Sequence, residues 1–436
     1  MLLLLAGLVV AAIGVVVDRW HASPPAPRYS YGPRNFGDAL ELAQHDVLSG
    51  MDRVARAPGD WINQEVYARG LMGRARLTGS FDDLAMARTA LDRGMRDAPR
   101  GAGPVLLDAV NLMSLHRQQP VPRDLDLFEG QAMPPAPADR SESIAIRGDV
   151  AFYSGRYAQA IQAYRAAEKL DDGPGAQMRI ANWERKMGRF DAALARLDRA
   201  LAGPRPPTRQ FTATVLLQKG LTELGRGRWD EAAALFDEAE AIFPDHWLTA
   251  AYRAQMIAAK GDLPGAERAY AAILKRSTPA MPMPEVMDAL AALLRARGDV
   301  KGSRSWAARA GAIWDRRMAQ LPEAAVGHAV EHELALGTPA RALALARANW
   351  RARPYGDSAV LLGLALRANG DPAGAVRLMQ ALERTGWRGA PQYVVLSEAL
   401  AMLGRSDESE AARADATAIN PRAFDPSASL LWFGNH

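Results

Sequence analysis

Apolar residues recur along most of this chain at the three-and-four spacing of a helix face, and the recurring stretches come in pairs. The clearest pair runs from Leu216 to Pro244, LLQKGLTELGRGRWDEAAALFDEAEAIFP. Leu216, Gly220 and Leu224 fall on one face of a first helix, Gly225 and Gly227 break it, and Trp229, Ala232, Phe236 and Ala239 line a second helix that Pro244 closes. Small residues at Gly220, Ala232 and Ala239 let the two backbones approach, while Trp229 and Phe236 fill the space beside them. Strand patterns are almost absent. The spacing therefore predicts an all-α chain assembled from helical hairpins.

Looser copies of the same hairpin surround this one. GRYAQAIQAYRAA, GRFDAALARLDRA, GRWDEAAALFDEA and GDLPGAERAYAAI are followed by weaker versions at Gly298, Gly337, Gly370 and Gly404. The residues two places after these glycines are Tyr157, Phe190, Trp229, Leu263, Val300, Pro339, Pro372 and Ser406, spaced by 33, 39, 34, 37, 39, 33 and 34 residues. An earlier copy, Leu77 to Pro99, has its turn at Gly79 and an aromatic at Phe81. The excess residues fall in connections such as AGPRPPTRQ and KRSTPAMPMPE, so insertions sit between units.

A small residue in the first helix, an aromatic after the turn, then Ala, aromatic, Ala and Pro at a period near 34 resembles the tetratricopeptide repeat. The resemblance covers roughly Asn63 to Pro421 and implies one elongated, right-handed superhelical solenoid of about nine recognisable repeats plus a degenerate one. It also implies a concave groove, lined by the first helices, that holds partner peptides in extended form. Registering Gly148, Ala181, Gly220 and Ala254 at the small first-helix position turns Asp149, Phe152, Tyr153, Asn182, Arg185, Lys186, Leu221 and Gln255 inward. Asn182, Arg185 and Lys186 resemble part of the set with which some members clamp a terminal carboxylate. Thr214, Leu217 and Leu221 stand where the next repeat would complete it, so solvated polar positions are the other reading. Phe152 and Tyr153 read either as packing residues or as aromatic contacts for a ligand.

The chain divides into an apolar segment (1–17), a Pro/Gly-rich tether (18–37), N-terminal helical repeats (38–117), a Pro-rich loop (118–140), the main array (141–421) and a capping tail (422–436). The first segment is uncharged, and at ~1.5 Å per residue it reaches the short end of what crosses a bilayer. A signal cleavage site needs small residues at the minus one and minus three places, whereas WHASPPAP after it mixes in bulky residues and prolines, which favours an uncleaved single-pass anchor over a cleaved signal and a secreted adaptor. Arg19, Arg28 and Arg34 taken literally hold the repeats in the cytoplasm. The habit of exported helical-repeat proteins instead suggests the periplasmic side of a bacterial inner membrane. Within 118–140, five prolines forbid a continuous helix and leave room for a short helical piece at Asp124 to Gly130. In the tail, Leu430, Leu431, Trp432 and Phe433 either cap the last repeat or fold back into the groove, or else dock a partner.

Composition narrows the chemistry. The 436 residues are 49% apolar but only 7% aromatic, as expected where Ala and Leu make most helix contacts. A formal charge of +4 is spread over the chain with no dense Lys/Arg run, so nucleic acid is not an expected partner. The absence of Cys removes disulfides, thiolate metal sites and Cys nucleophiles. His328, Glu331 and His332 read H-x-x-E-H, the zinc order of inverted zinc peptidases, but no downstream Glu context supplies a third ligand, and a plain first helix explains the stretch. His21, His45, His116, His246 and His436 read as surface or capping groups. With no phosphate loop and no G-x-S-x-G elbow, the expectation is a non-catalytic protein-binding scaffold without metal or cofactor.

Overall fold

The computed structural model describes residues 31–203 and 206–433. The apolar segment 1–17 and most of the tether lie outside them, and among the described residues no helix is long and apolar enough to cross a membrane. Twenty-one α-helices follow one another there. Helix α1 (Phe36–Arg56) precedes ten hairpins. The first five are α2 (Trp61–Thr78) with α3 (Phe81–Asp97), α4 (Val105–Ser114) with α5 (Val121–Glu129), α6 (Pro137–Tyr153) with α7 (Tyr157–Leu170), α8 (Pro174–Lys186) with α9 (Phe190–Leu201), and α10 (Arg209–Gly225) with α11 (Trp229–Ile242). The last five are α12 (Trp247–Ala259) with α13 (Leu263–Leu274), α14 (Pro284–Ala296) with α15 (Val300–Gln320), α16 (Pro322–Leu336) with α17 (Pro339–Ala352), α18 (Gly356–Ala368) with α19 (Pro372–Glu383), and α20 (Ala390–Met402) with α21 (Ser406–Ile419).

Size complementarity closes each hairpin. A β-carbon at Gly220 would fall against the ring of Phe236, and one at Gly148 against the ring of Tyr164, so only glycine lets these helices meet. The turn is equally local. Gly227 adopts φ +79°, and the Arg228 amide donates to the Glu223 carbonyl at 2.9 Å, ending α10 before Trp229 opens α11. In three of the hairpins where the aromatic is missing, an acid replaces it as the organiser. Asp262, Asp299 and Asp371 each accept the amide of the glycine three residues on, at 2.8 Å, and so cap α13, α15 and α19.

The 118–140 stretch, expected to be a loop, contains the nine-residue helix α5, and α6 begins inside it at Pro137. Proline is tolerated here because Pro120 and Pro122 sit at the helix start, where their missing N–H groups cost nothing. Val121 and Leu125 then bury themselves against Leu112 and Ile146. The same helix carries a titratable strain. Asp124 is almost buried beside Asp108, whose carboxylate is already bound by Arg88. Burial, and then the Asp108 charge, push the Asp124 carboxyl from 3.8 up to about 7. Between those values the folded state holds a proton that the unfolded chain has released, so stability falls as pH rises through this window. Asp124→Asn is expected to flatten that slope and to raise stability at pH 8 by about 1–2 kcal/mol after solvent screening. Denaturant titrations at pH 5 and pH 8 measure both effects.

The array is not an open, elongated one. It coils until residues far apart in sequence touch. The Phe36 amide donates to the Pro244 carbonyl at 3.0 Å, and Trp247 Nε1 donates to the Leu77 carbonyl at 3.0 Å. Arg317 Nη2 reaches the Gly79 carbonyl at 3.3 Å, and Arg117 pairs with Glu323 at 3.2 Å. Further along, the Gly356 amide donates to the Tyr157 hydroxyl at 2.9 Å, and the Arg388 amide donates to the Lys186 carbonyl at 3.0 Å. Gly155 approaches Pro354 so closely that a β-carbon would lie 2.7 Å from the Pro354 oxygen.

The tail does two jobs. Ala423 and Phe424 pack on the cluster that contains the last hairpin's Ala412 and Ala416, as a cap should. Beyond them a short 3-10 turn, Pro426–Leu430, carries the chain away, and Phe433 joins the core cluster that α10 to α14 form with α1 and Leu77.

Candidate functional site

The first helices of the hairpins line the inner surface of the coil, and because successive turns touch, part of that surface becomes a chamber. A cavity of about 500 Å³ lies between α8, α10, α16, α18 and α20. Leu221, Leu224, Leu334, Leu361, Leu364 and Val394 supply its apolar wall, and Trp229, Trp387 and Trp432 stand at its sides. Leu431 and Trp432 mean that the tail itself forms one wall. A second space of about 250 Å³, lined by Trp247, Tyr252, Trp314, His328 and Phe433, adjoins the first through Glu331 and Trp432.

Six charged side chains line the larger cavity, Arg185, Lys186, Glu331, Asp357, Arg388 and Arg422, and three of them are grouped. Arg185 and Lys186 end α8, and Asp357 opposes them from the first turn of α18. Lys186 Nζ lies 2.8 and 2.7 Å from the two carboxylate oxygens of Asp357 and 5.3 Å from the Trp387 ring centroid. Burial lowers the Lys186 pKa, with Arg185 adding to the effect and Asp357 opposing it. Arg185 donates to Asn182 Oδ1 at 3.0 Å, and burial lowers its pKa too. Asn182, Arg185 and Lys186 are therefore brought together as the repeat register implies. Lys186, however, is matched by an internal carboxylate, which leaves Arg185 as the member of the set whose bond within it is to a neutral amide.

The other inward positions separate. Phe152 is 2% exposed, with ring centroids of Tyr157 at 5.3 Å and Trp387 at 6.2 Å, and it acts as packing. Tyr153 stands edge-on to Tyr355 at 5.1 Å, and burial pushes its pKa up to about 12. Asp149 is bound by Arg179 and Tyr164, each at 2.9 Å. Leu221 lines the large cavity. Gln255 is wholly buried and grips the tail. The register does not reveal Asp357, Trp387 or Arg422, because all three act from another turn of the coil or from a connection. Trp387 offered one signal, being a large apolar residue placed between helices.

The H-x-x-E-H stretch lies on α16, the first helix of its hairpin. Its two histidines do not converge on a common metal. The His328 ring stacks on Trp314 at 5.2 Å, whereas His332 Nδ1 is 2.7 Å from Asp288 Oδ1, whose other oxygen accepts from Trp314 Nε1 at 2.8 Å. Burial lowers the His332 pKa, but the bond to Asp288 outweighs it and the net direction is upward. Among the described residues no three His, Cys, Asp or Glu side chains are grouped to hold a metal ion. His246, expected at a surface or cap, does precede α12 at its N-cap, yet it also packs against Phe36 and Phe243 at 5.7 and 6.1 Å.

No curated protein matches the chain. Among solved structures, a tetratricopeptide repeat protein from Parabacteroides merdae ATCC 43184 is similar at 16% identity and TM-score 0.35, covering 60% of this chain and 98% of that one. PilW, described as a widely conserved type IV pilus biogenesis factor, is similar at 17% identity and TM-score 0.38, covering 48% of this chain and 91% of that one. The Pseudomonas aeruginosa pilF protein is similar at 13% identity and TM-score 0.37, covering 48% and 90%. Two family models described as tetratricopeptide repeat match residues 175–245 and 217–282. Through those residues, within an all-helical solenoid, the chain carries tetratricopeptide repeats.

Proposed function

We propose that this protein is a non-catalytic scaffold that holds a mainly apolar segment of a partner protein in the 500 Å³ cavity. The observation that carries the reading is the cavity's make-up, with Leu and Val side chains in its wall and the half-buried guanidinium of Arg185 among them. Apolar burial supplies the affinity. Arg185 supplies orientation, since a carboxylate reaching it makes a charge-assisted bond. The tetratricopeptide repeats favour a protein or peptide over a small molecule as occupant. In the same reading, segment 1–17 is a single-pass anchor that tethers the scaffold to a bacterial inner membrane, with the repeats on the periplasmic face.

The chain contains no cysteine, so a single introduced thiol can carry a photocrosslinker. Attached to a Leu361→Cys variant, in the cavity wall, the crosslinker is expected to capture a defined partner from membranes of the native host. Attached to an Arg165→Cys variant, on the exposed outer side of α7, it is expected not to. Arg185→Ala should lower the yield at position 361 by about tenfold, the loss of one charge-assisted bond. Capture from both positions, or from neither, overturns the reading.

A further inference from the structure

Beyond α21 the chain crosses to the interior of the coil, where Phe433, the last described residue, makes a two-way contact with Gln255. The Phe433 amide donates to Gln255 Oε1 at 2.8 Å, and Gln255 Nε2 donates back to the Phe433 carbonyl at 3.2 Å. One side-chain amide thus reads both backbone groups of one residue, as a neighbouring strand would, and this recognition does not depend on which residue is read. The ring supplies the selectivity. Phe433 is 6% exposed and meets Tyr252 edge-on at 5.8 Å, while Trp432 beside it faces both cavities. Gln255 is itself wholly buried, so its amide must be satisfied by a backbone whenever the site is dry.

The rest of the segment is only half-buried, with Ala428, Leu430, Leu431 and Trp432 packed on the same core cluster. None of the residues in its 3-10 turn, Pro426–Leu430, is buried, and its backbone bonds there are local ones such as Ala428 to the Asp425 carbonyl at 2.9 Å. A segment with one deeply buried side chain and the rest half-buried opens before the helices it rests on.

We propose that the Gln255 site is a docking site for an extended peptide carrying a bulky aromatic residue, and that Leu431–Phe433 fills it in cis. The occupant for which it is built is a partner segment of the same chemistry, an aromatic residue presented on an extended backbone with an apolar neighbour. Such a segment must displace the chain's own, and because Leu431 and Trp432 wall the larger cavity, displacement also opens that chamber. The inference stands apart from the reading of the larger cavity, since Gln255 lies outside its lining.

The test uses the full chain and a fluorescein-labelled, end-blocked peptide of sequence ASLLWF, the chain's own residues 428–433. Fluorescence anisotropy is expected to show that Phe433→Ala binds this peptide at least about tenfold more tightly than the unaltered chain, because the competing segment no longer holds the site. Adding Gln255→Ala to Phe433→Ala should abolish binding, while adding Arg185→Ala should leave it unchanged. Equal peptide affinity in Phe433→Ala and the unaltered chain would sink the proposal and leave the segment a structural cap. Hydrogen exchange on the unaltered chain gives an independent check. Amides of 429–433 should exchange by local opening much faster than those of α12 and α14. Exchange of all three only on global unfolding is equally fatal.

Discussion

Trp387→Ala is expected to lower the unfolding free energy by about 3–5 kcal/mol, the range for deleting a fully buried large ring. Trp387 is 2% exposed although it lies in the connection between α19 and α20. Its ring lies 5.5 Å from Tyr157 and 6.3 Å from Tyr355, and it sits so tightly on Gly356 that a β-carbon there would overlap it. Tyr157 belongs to the third hairpin and Tyr355 and Gly356 border the ninth, so the ring fills a joint between turns of the coil rather than the inside of one hairpin. Surrounding aromatics can collapse only partly into the space, because the Tyr157 hydroxyl is committed to the Gly356 amide. Denaturant unfolding followed by circular dichroism gives the value. A loss under about 1 kcal/mol, typical of a surface change, would mean that the contact between turns contributes little.

Lys186→Ala is expected to cost about 3 kcal/mol, because it strands the Asp357 carboxylate where little water reaches it. The paired side chains are 14% and 16% exposed, and the ammonium bonds both carboxylate oxygens. Lys186→Met combined with Asp357→Leu removes both charges at similar volume and should restore most of the loss, since desolvating the pair offsets much of its attraction. A double-mutant cycle in urea measures the coupling. If the double variant were as unstable as Lys186→Ala alone, the cost would lie in lost packing and not in an orphaned charge. The result also decides how partner capture is read, because Lys186→Ala alters fold and cavity together whereas Arg185→Ala removes a group with no internal carboxylate bond among its hydrogen bonds.

The hairpins were legible because everything that makes them is local. Gly220 against Phe236, the turn at Gly227 and the aspartate caps at Asp262, Asp299 and Asp371 all lie within a few turns of one another. The same register placed Asn182, Arg185 and Lys186 side by side and turned Gln255 inward. What it could not contain was the other half of each contact. Asp357 is 171 residues from Lys186, and Phe433 is 178 residues from Gln255. Periodicity carries no information at that range. Trp387 and Pro354 belong to connections, where no helical pattern constrains the residue. Helix α5 was legible only as a short piece from Asp124, for a different reason: five prolines dominate the stretch, but two of them stand where a helix start accepts them.

An open helical array behaves like a spring, since each unit touches only its neighbours and a pull on the ends is shared as small rotations at every joint. Here the bonds from Lys186 to Asp357, from Tyr157 to Gly356 and from Trp247 to Leu77 stitch one coil to the next. The pitch cannot lengthen until those stitches part. Elastic breathing is thereby denied to the interior, and an incoming chain cannot be admitted by a gradual stretch of the whole superhelix. Admission becomes a discrete event, decided by which single fastening along the seam yields at the lowest load.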